Sequence, residues 1–185
     1  MVGAVLAGGA GSRFGTASKP AVLLAGRPLV SYPLGALGAV CARVAVVCKR
    51  ATELPELGGA ERWNEPDEPR HPLAGIVHAL EQAGEPVLVC AADMPFVTAD
   101  ACRSLLAAPR KAVALVATAD GVLQPTFGVY APQALDTLRA AHPNATLTRT
   151  VEQLDPVRVA FPLRLVRSVN TPAELVDAER FLAAA

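Results

Sequence analysis

The sequence predicts a three-layer α/β/α domain around a mostly parallel β-sheet. Short apolar runs of strand length alternate with stretches of helical periodicity along the chain, and 52% of the residues are hydrophobic against 18% charged. This composition excludes a disordered or fibrous chain and supplies enough apolar surface for a buried core. With 185 residues the chain has the length of one domain, which we expect to span residues 1–185.

Apolar runs too short for a typical helix define the predicted strands. They are rich in Val, Ala and Leu, and several are bounded by Gly, Pro or Asp, as is usual for the buried strands of a parallel sheet. In chain order the predicted strands cover residues 3–7, 43–48, 86–91, 112–117, 124–130, 157–160 and 163–166.

Between these runs, apolar residues recur at helical spacing. Four of them between Leu73 and Leu80 lie on one face of a helix predicted over residues 72–83. The last predicted helix begins with a T-P-x-E capping box at residues 171–174, in which Thr171 and Glu174 bond to each other's backbone. This last helix is predicted over residues 172–184, and the other helices are predicted over residues 27–40, 98–107, 131–141 and 146–154.

The charge is unevenly distributed although it sums to zero. Residues 1–50 contain six basic residues and no carboxylate, whereas residues 51–100 contain ten carboxylates and two arginines. A protein that binds duplex nucleic acid is usually basic overall, so we expect no nucleic-acid partner. The pattern instead favours a small anionic ligand at the N-terminal end and a cation near the acidic centre.

Cysteine usage and the N-terminal sequence both predict a cytoplasmic protein with no membrane partner. The four cysteines (Cys41, Cys48, Cys90 and Cys102) form no C-x-x-C pair, and three lie in or beside apolar runs. This favours buried free thiols over a metal site or a disulfide framework. The first residues lack the basic segment of a signal peptide, and no apolar stretch reaches the length of a membrane span.

A glycine-rich loop follows the first predicted strand. Residues 6–20 have the sequence LAGGAGSRFGTASKP, with four glycines within residues 8–15. Glycines let the backbone approach a ligand and direct N–H groups at anionic oxygens, and Arg13 and Lys19 add two positive charges. The loop therefore predicts a phosphate site, and a tight turn with two solvated cations is the alternative. It matches neither the Walker motif, because a serine precedes Lys19, nor the dinucleotide fingerprint, because Phe14 replaces its third glycine.

A second unusual turn follows the third predicted strand. Asp93 comes two residues after the apolar run and is followed by Pro95, so we expect its carboxylate at the edge of the sheet. Carboxylate oxygens are ligands that Mg²⁺ prefers. Asp also begins turns and caps helices, so Asp93 alone fits either role. Together with the glycine-rich loop, it predicts a site for phosphate and metal.

The loop motif L-A-G-G-x-x-S-R-F-G-x-x-x-K at residues 6–19 resembles the signature of the nucleotidyltransferase superfamily, which includes the sugar-nucleotide pyrophosphorylases. Within that superfamily the chain most resembles the molybdenum cofactor guanylyltransferases. The later segments that agree in order and spacing are HPLAGI at 71–76, ADMP at 92–95, QPTFGVY at 124–130 and NTP at 170–172.

The resemblance implies a Rossmann-like fold of the nucleotide-diphospho-sugar transferase type. It also implies transfer of GMP from GTP to the phosphate of the molybdopterin cofactor, with Mg²⁺ as the metal cofactor and pyrophosphate as the second product. GTP and molybdopterin are then the substrates, and molybdenum cofactor insertion proteins or molybdoenzymes are candidate protein partners.

The resemblance assigns site residues position by position. Arg13, Lys19 and Asp93 are the expected catalytic residues, of which Arg13 and Lys19 hold the triphosphate and Asp93 binds Mg²⁺. Asn170 is expected near the acceptor. The nucleotide is expected to contact Leu6, Ala7, Gly8, Gly9, Lys19, Asn64 and Asp93.

Several positions depart from the family pattern. His71 replaces a glycine, Val47 stands where family members can carry a base-contacting asparagine, and Asn64 stands where an aspartate is usual. A shift in register would instead bring Glu65 or Asp67 to the aspartate position. These departures concern base recognition more than transfer. A nucleotidyltransferase that uses CTP or a sugar phosphate, or a non-catalytic nucleotide-binding domain, therefore stays as an alternative.

Overall fold

The computed structural model describes residues 1–9, 18–109, 112–142 and 144–183. Seven of its strands form one sheet, and two short strands at residues 23–24 and 27–28 form a hairpin. In chain order the strands are β1 (Val2–Leu6), β2 (Leu23–Leu24), β3 (Arg27–Pro28), β4 (Arg43–Cys48), β5 (Glu61–Asn64), β6 (Val87–Ala91), β7 (Ala114–Ala119), β8 (Val122–Tyr130) and β9 (Val157–Ala160).

The strand order of the large sheet, β5-β4-β1-β6-β8-β7-β9, brings the ends of distant strands to one edge. β1 pairs in parallel with β4 and β6, so Leu6 lies beside Val47 on one side and Ala91 on the other. The β4–β5 and β7–β9 pairs are also parallel. β8 is antiparallel to both β6 and β7, so the residues before Phe127 lie near the edge where β6 ends. The sheet is mostly parallel, as predicted.

Helices cover both faces of this sheet and complete three layers. In chain order they are α1 (Ser31–Gly38), α2 (Pro72–Ala83), α3 (Ala99–Leu106), α4 (Leu135–Arg139), α5 (Leu147–Glu152), α6 (Leu163–Val166) and α7 (Pro172–Ala183). Side chains alternate between the faces along a strand. In β1, Val5 joins an apolar core with α1 and α3, while Ala4 and Leu6 join a second core with α2, α4 and α5. No helix in the described part of the chain has the length and apolar character needed to cross a membrane.

Helix α2 has the bounds that the sequence predicts, and both of its ends are capped. The His71 ring atom Nδ1 accepts a hydrogen bond from the Leu73 N–H at 3.2 Å. At the other end Gly84 adopts a left-handed conformation with φ 63°, which a glycine tolerates without strain. Gly75, in the second turn, lies against the Leu6 side chain. These contacts place the N-terminus of α2 beside the end of β1.

The predicted capping box at the start of α7 is confirmed. The Glu174 N–H donates to Thr171 Oγ1 at 3.2 Å, and Glu174 Oε2 accepts from the Thr171 N–H at 2.9 Å. The same oxygen accepts from the Asn170 N–H at 2.6 Å, and this bond is the largest cause of the lowered pKa of Glu174. The box therefore also fixes the backbone of Asn170.

Three predicted elements need correction. Residues 163–166, predicted as a strand, form α6, because the Leu165 N–H bonds back to Pro162 O at 2.9 Å and closes a helical turn. Residues 27–28, predicted as the start of a helix, form β3, and α1 begins only at Ser31. The helix predicted over residues 131–141 is a 3₁₀ turn followed by α4. Strand β5 is not predicted by the sequence.

All four cysteines are buried and free, as predicted. Burial raises the pKa of the Cys90 thiol well above its ordinary value and that of Cys102 to about 12. A protonated thiol is a weak nucleophile and a weak metal ligand, so these side chains act as small apolar residues in the core.

Candidate functional site

A cavity of about 320 Å³ opens at the edge of the sheet where β1 and β6 end. The loop after β1, the turn after β6, the start of α2 and the segment before α7 form its walls. Arg13 belongs to residues 10–17, which lie outside the described part of the chain, so its role stays a prediction. The residues assigned from the sequence that line the cavity are Leu6, Ala7, Gly8, Gly9, Lys19, Asp93 and Asn170.

Hydrogen bonds to both neighbouring strands hold the backbone at the end of β1, where it lines the cavity. The Ala7 N–H donates to Val47 O at 2.8 Å, and Leu6 O accepts from the Ala92 N–H at 2.9 Å. The pairing of β1 with both neighbouring strands therefore continues to the point where Gly8 begins the loop. A ligand that contacts this backbone meets a surface held on both sides.

Lys19, Asp93 and Asn170 meet on one side of the cavity. The Lys19 Nζ donates to Asp93 Oδ2 at 2.5 Å and to Asn170 Oδ1 at 2.7 Å. The Lys19 and Asp93 side chains are partly buried, at 18% and 21% exposure, so water only partly screens the pair. Two side-chain oxygens from distant segments of the chain thus accept hydrogen bonds from one ammonium group.

The carboxylate of Asp93 does not cap the following helix. Helix α3 is capped by Thr98, whose Oγ1 accepts from the Ala101 N–H at 3.1 Å. The backbone of Asp93 is fixed separately, because its carbonyl accepts from the Val169 N–H at 2.8 Å. The carboxylate remains directed to Lys19, so the helix-capping alternative is wrong for Asp93.

On the other side of the cavity a buried carboxylate lies against two glycines. The Glu65 side chain is 4% exposed, and its Oε1 forms an ion pair with Lys49 Nζ at 3.4 Å. An ideal Cβ on Gly8 would lie 1.8 Å from Oε1, and one on Gly75 would lie 3.5 Å from Oε2. Oε2 has no hydrogen-bond partner among the described residues. Burial raises the pKa of Glu65, although the Lys49 ammonium opposes the shift.

Asn64, the sequence-based candidate for nucleotide contact, lies outside this cavity. Its Oδ1 accepts from Arg62 Nε at 3.0 Å on the exposed side of β5. Successive side chains alternate along a strand, so Trp63 and Glu65 point inward while Asn64 points to solvent. Glu65, named as the register alternative, takes the place inside the cavity. Val47 is fully buried in the core beneath α2.

Other residues at the site were not predicted. Thr126, from the early part of β8, and Ser168 also line the cavity. Lys49 is the buried partner of Glu65. A lysine directly after the apolar run RVAVVC is the one signal in the sequence that could have indicated it.

Comparison with known proteins identifies the family. The model of the MobA-like NTP transferase domain matches residues 3–157. A molybdenum cofactor guanylyltransferase of Cereibacter sphaeroides is 31% identical, and the match covers 98% of this chain and 97% of that protein. This chain belongs to the molybdenum cofactor guanylyltransferase family, within the MobA-like NTP transferases. The resemblance drawn from the loop motif is confirmed.

Solved structures confirm the expected nucleotide-diphospho-sugar transferase fold. Molybdopterin-guanine dinucleotide biosynthesis protein A from Archaeoglobus fulgidus matches with a TM-score of 0.79 and 27% identity over 100% of both chains. The 2-C-methyl-D-erythritol 4-phosphate cytidylyltransferase from Thermus thermophilus matches with a TM-score of 0.72 and 21% identity over 98% of both chains. The likeness to the second protein concerns the fold alone.

As a nucleotidyltransferase, this family member has a cavity whose two ends offer different chemistry. Lys19, Asp93 and Asn170 form a polar end suited to phosphates and a hard cation. Glu65 forms an end that can only accept hydrogen bonds while its carboxyl is ionised. The backbone of residues 6–9 lies between them, because β1 lies between β5 and β6 in the sheet. An elongated ligand with phosphates at one end and N–H donors at the other matches this arrangement.

The contact between Gly8 and Glu65 gives a first prediction. Gly8→Ala should displace the Glu65 carboxylate, because the new Cβ would overlap Oε1 and disturb the ion pair with Lys49. We expect the free energy of unfolding to fall by roughly 1–3 kcal/mol, as for overpacking, and nucleotide affinity to fall with it. Urea denaturation and titration calorimetry measure the two effects.

Gly9→Ala is the matched control for this prediction. An ideal Cβ on Gly9 meets no described atom beyond its chain neighbours within 4 Å. We expect nearly wild-type stability for this variant. Equal effects of the two substitutions would contradict the close approach of Glu65 to Gly8.

Proposed function

We propose that this protein transfers GMP from GTP to the phosphate of the molybdopterin cofactor and releases pyrophosphate. The main support is the cluster of Lys19, Asp93 and Asn170 beside the glycine-rich loop, in a chain whose relative is named a molybdenum cofactor guanylyltransferase. A cation next to a carboxylate and an amide oxygen suits a triphosphate that arrives with a metal ion.

In this proposal GTP lies along the cavity with its phosphates at Lys19 and its base at Glu65. Backbone groups of residues 6–9 contact the nucleotide, and Arg13 adds a second positive charge for the triphosphate. In the sheet, β1, which leads into residues 6–9, lies between β5, which precedes Glu65, and β6, which precedes Asp93. This order supports the orientation.

Glu65 supports GTP over CTP as the donor nucleotide. Guanine presents two adjacent N–H donors, the ring N–H and the 2-amino group, and an oxygen of an ionised carboxylate accepts from such donors. The matching edge of cytosine has one amino donor next to acceptors, which a carboxylate repels. A buried acceptor without a partner is costly, so Oε2 of Glu65 favours a ligand that supplies a donor. Glu65 thereby takes the role that the resemblance gave to the position of Asn64.

The residues at the polar end fit Mg²⁺. Asp93 Oδ2 and Asn170 Oδ1 converge on the Lys19 Nζ, and both are oxygen ligands of the type that Mg²⁺ prefers. The described residues contain no group of three His, Cys, Asp or Glu side chains that could hold a metal by themselves. Mg²⁺ usually takes one or two carboxylates and completes its shell with water and substrate phosphates. Asp93 would therefore hold it, with Asn170 beside it, and the bound metal would neutralise phosphate charge.

The chain's own residues act by positioning and electrostatics. An oxygen of the acceptor phosphate forms a bond to the α-phosphorus of GTP while the bond to the bridging oxygen of the β-phosphate breaks. That acceptor is already an anion, so the reaction requires no general base from the three histidines. Lys19 stabilises the charge that builds on the leaving pyrophosphate, and residues 6–9 keep the nucleotide aligned.

Asp93→Asn tests the metal assignment. The substitution keeps the size of the side chain and removes its charge, so we expect nearly complete loss of Mg²⁺-dependent pyrophosphate release. Binding of GTP without metal should be partly retained. The melting temperature should change little, because a partly exposed ion pair contributes at most about 1 kcal/mol. A coupled pyrophosphate assay, calorimetry and thermal unfolding measure the three quantities.

Asp100→Asn is the matched control for Asp93→Asn. Its carboxylate is 90% exposed and pairs with Arg103 on the surface of α3. We expect its turnover to equal that of the wild type. Full turnover of Asp93→Asn, or its failure to fold, would contradict the assignment of Asp93 as metal ligand.

Lys19→Ala tests the role of the cation in the transition state. If Lys19 stabilises charge that develops during transfer, kcat should fall by a factor equivalent to roughly 2.7–4 kcal/mol, as for the loss of one oxyanion donor. Steady-state kinetics with GTP as the varied substrate measure kcat and KM separately. A change confined to KM would show that Lys19 binds ground state and transition state equally, against this role.

The overall reaction is tested by incubating the protein with Mg²⁺, molybdenum-bearing molybdopterin and one nucleotide at a time. We expect GTP alone among GTP, CTP, ATP and UTP to give the dinucleotide and stoichiometric pyrophosphate. Formation of the product with CTP would replace the guanylyl assignment with a cytidylyl one. Binding of GTP without any product would favour a non-catalytic nucleotide-binding domain.

A further inference from the structure

Lys49 is a buried lysine whose charge is neutralised inside the protein. It follows β4 directly and is 8% exposed. Its Nζ donates to the carbonyl oxygens of Pro66 and, at 3.3 Å, of Pro69, and forms the 3.4 Å ion pair with Glu65 Oε1. An ammonium group has three N–H donors, and these three oxygens match that number.

The partners of Lys49 all belong to the short segment between β5 and α2. Burial of an ammonium is costly unless it is paired and hydrogen-bonded, so its position is strongly coupled to that of residues 65–69. The Glu65 N–H also donates to Cys48 O at 2.9 Å, which fixes the backbone on the same side. Lys49 therefore holds both the carboxylate of Glu65 and the loop that follows it.

This arrangement leaves one oxygen of Glu65 without a hydrogen-bond partner among the described residues. Lys49 contacts Oε1, while Oε2 lies buried beside Gly75 with no partner among the described residues. Gly8 and Gly75 lack side chains where the carboxylate would otherwise be covered. Arg62 points elsewhere, since its guanidinium donates to the carbonyl oxygens of Lys49, Arg50 and Thr52.

We propose that Lys49 is a positioning residue for base specificity: its ammonium fixes the Glu65 carboxylate so that Oε2 accepts a hydrogen bond from the N–H edge of guanine. This inference rests on the proposed function, in which the base lies at Glu65. Lys49 itself contacts no substrate in this arrangement and acts through Glu65.

The electrostatic interaction between Lys49 and Glu65 also supports this role of Lys49. Burial raises the pKa of Glu65, and the Lys49 ammonium is the group that opposes this shift. Without that ammonium the neutral carboxyl becomes more favourable, and its O–H donates a hydrogen bond where guanine also donates one. Loss of Lys49 should therefore penalise guanine more than a base whose edge offers an acceptor.

The test is a double-mutant cycle on nucleotide choice. The affinities of GTP and ATP are measured by titration calorimetry without acceptor for the wild type, Lys49→Met, Glu65→Gln and the double variant. Adenine lacks both N–H donors of the guanine edge. We expect the wild type to prefer GTP by about 10- to 100-fold, the range for a hydrogen bond to a charged group. Both single variants should reduce the preference to within about threefold.

The Glu65→Gln background separates a positioning role from a general structural one. If Lys49 acts through Glu65, Lys49→Met changes the GTP-to-ATP ratio in the wild type but not in Glu65→Gln. Lys49→Gln is the second neutral variant and replaces Lys49→Met if that protein does not fold, because its amide can still donate to a loop carbonyl. We expect it to show the same loss of preference for GTP.

The outcomes distinguish this inference from the proposed function. If the wild type prefers GTP and the neutral Lys49 variants keep that preference, or lose affinity for both nucleotides equally, the role of Lys49 is wrong and the guanylyl function stands. If the wild type itself shows no preference for GTP, both are overturned. The inference is supported if Lys49→Met or Lys49→Gln removes the preference for GTP in the wild type and if neither substitution changes the GTP-to-ATP ratio in the Glu65→Gln background.

Discussion

The charge arrangement at the polar end of the cavity depends on the ammonium group of Lys19, which joins three distant parts of the chain. Its bonds to Asp93 and Asn170 connect the end of the glycine-rich loop with the turn after β6 and the segment before α7. Each partner is fixed independently: the Asp93 carbonyl bonds to the Val169 N–H, and the Glu174 carboxylate accepts from the Asn170 N–H. The two oxygens are therefore preorganised around a cation before any ligand arrives, which is the condition under which electrostatic stabilisation is strong.

The buried elements of the fold could be predicted from the sequence, and the polar or very short ones could not. β4 and α2 have the predicted bounds, because an apolar run and a helical stripe define them. β5 (Glu61–Asn64) lies at the sheet edge with Trp63 as its one buried residue, so it shows no apolar alternation. The four residues of α6 are too few to show a helical period, and their apolar character alone resembles a strand.

Some residues of the candidate site could likewise be predicted from the sequence and others could not. Lys19 and Asp93 were predicted because each follows a recognisable strand end, and parallel strands end at the same edge. The sequence does not decide between Asn64 and Glu65, because the pleat of an unpredicted strand determines which of two neighbouring side chains faces the cavity. The position of Lys49 directly after an apolar run is visible in the sequence, but its partners are not, since it bonds to carbonyl oxygens seventeen and twenty residues further along the chain. Such contacts arise only from the parallel pairing of β4 with β5.

In the proposed function, the two ends of one cavity hold the two ends of GTP. A crystal structure with Mg²⁺ and a GTP analogue that has a methylene group between the α- and β-phosphates would show this arrangement. We predict the metal at about 2.1 Å from an Asp93 oxygen, the phosphates at Lys19, and the N–H edge of guanine at Glu65 Oε2. A metal bound away from Asp93, or a base at Lys19 with the phosphates near Glu65, would contradict the account.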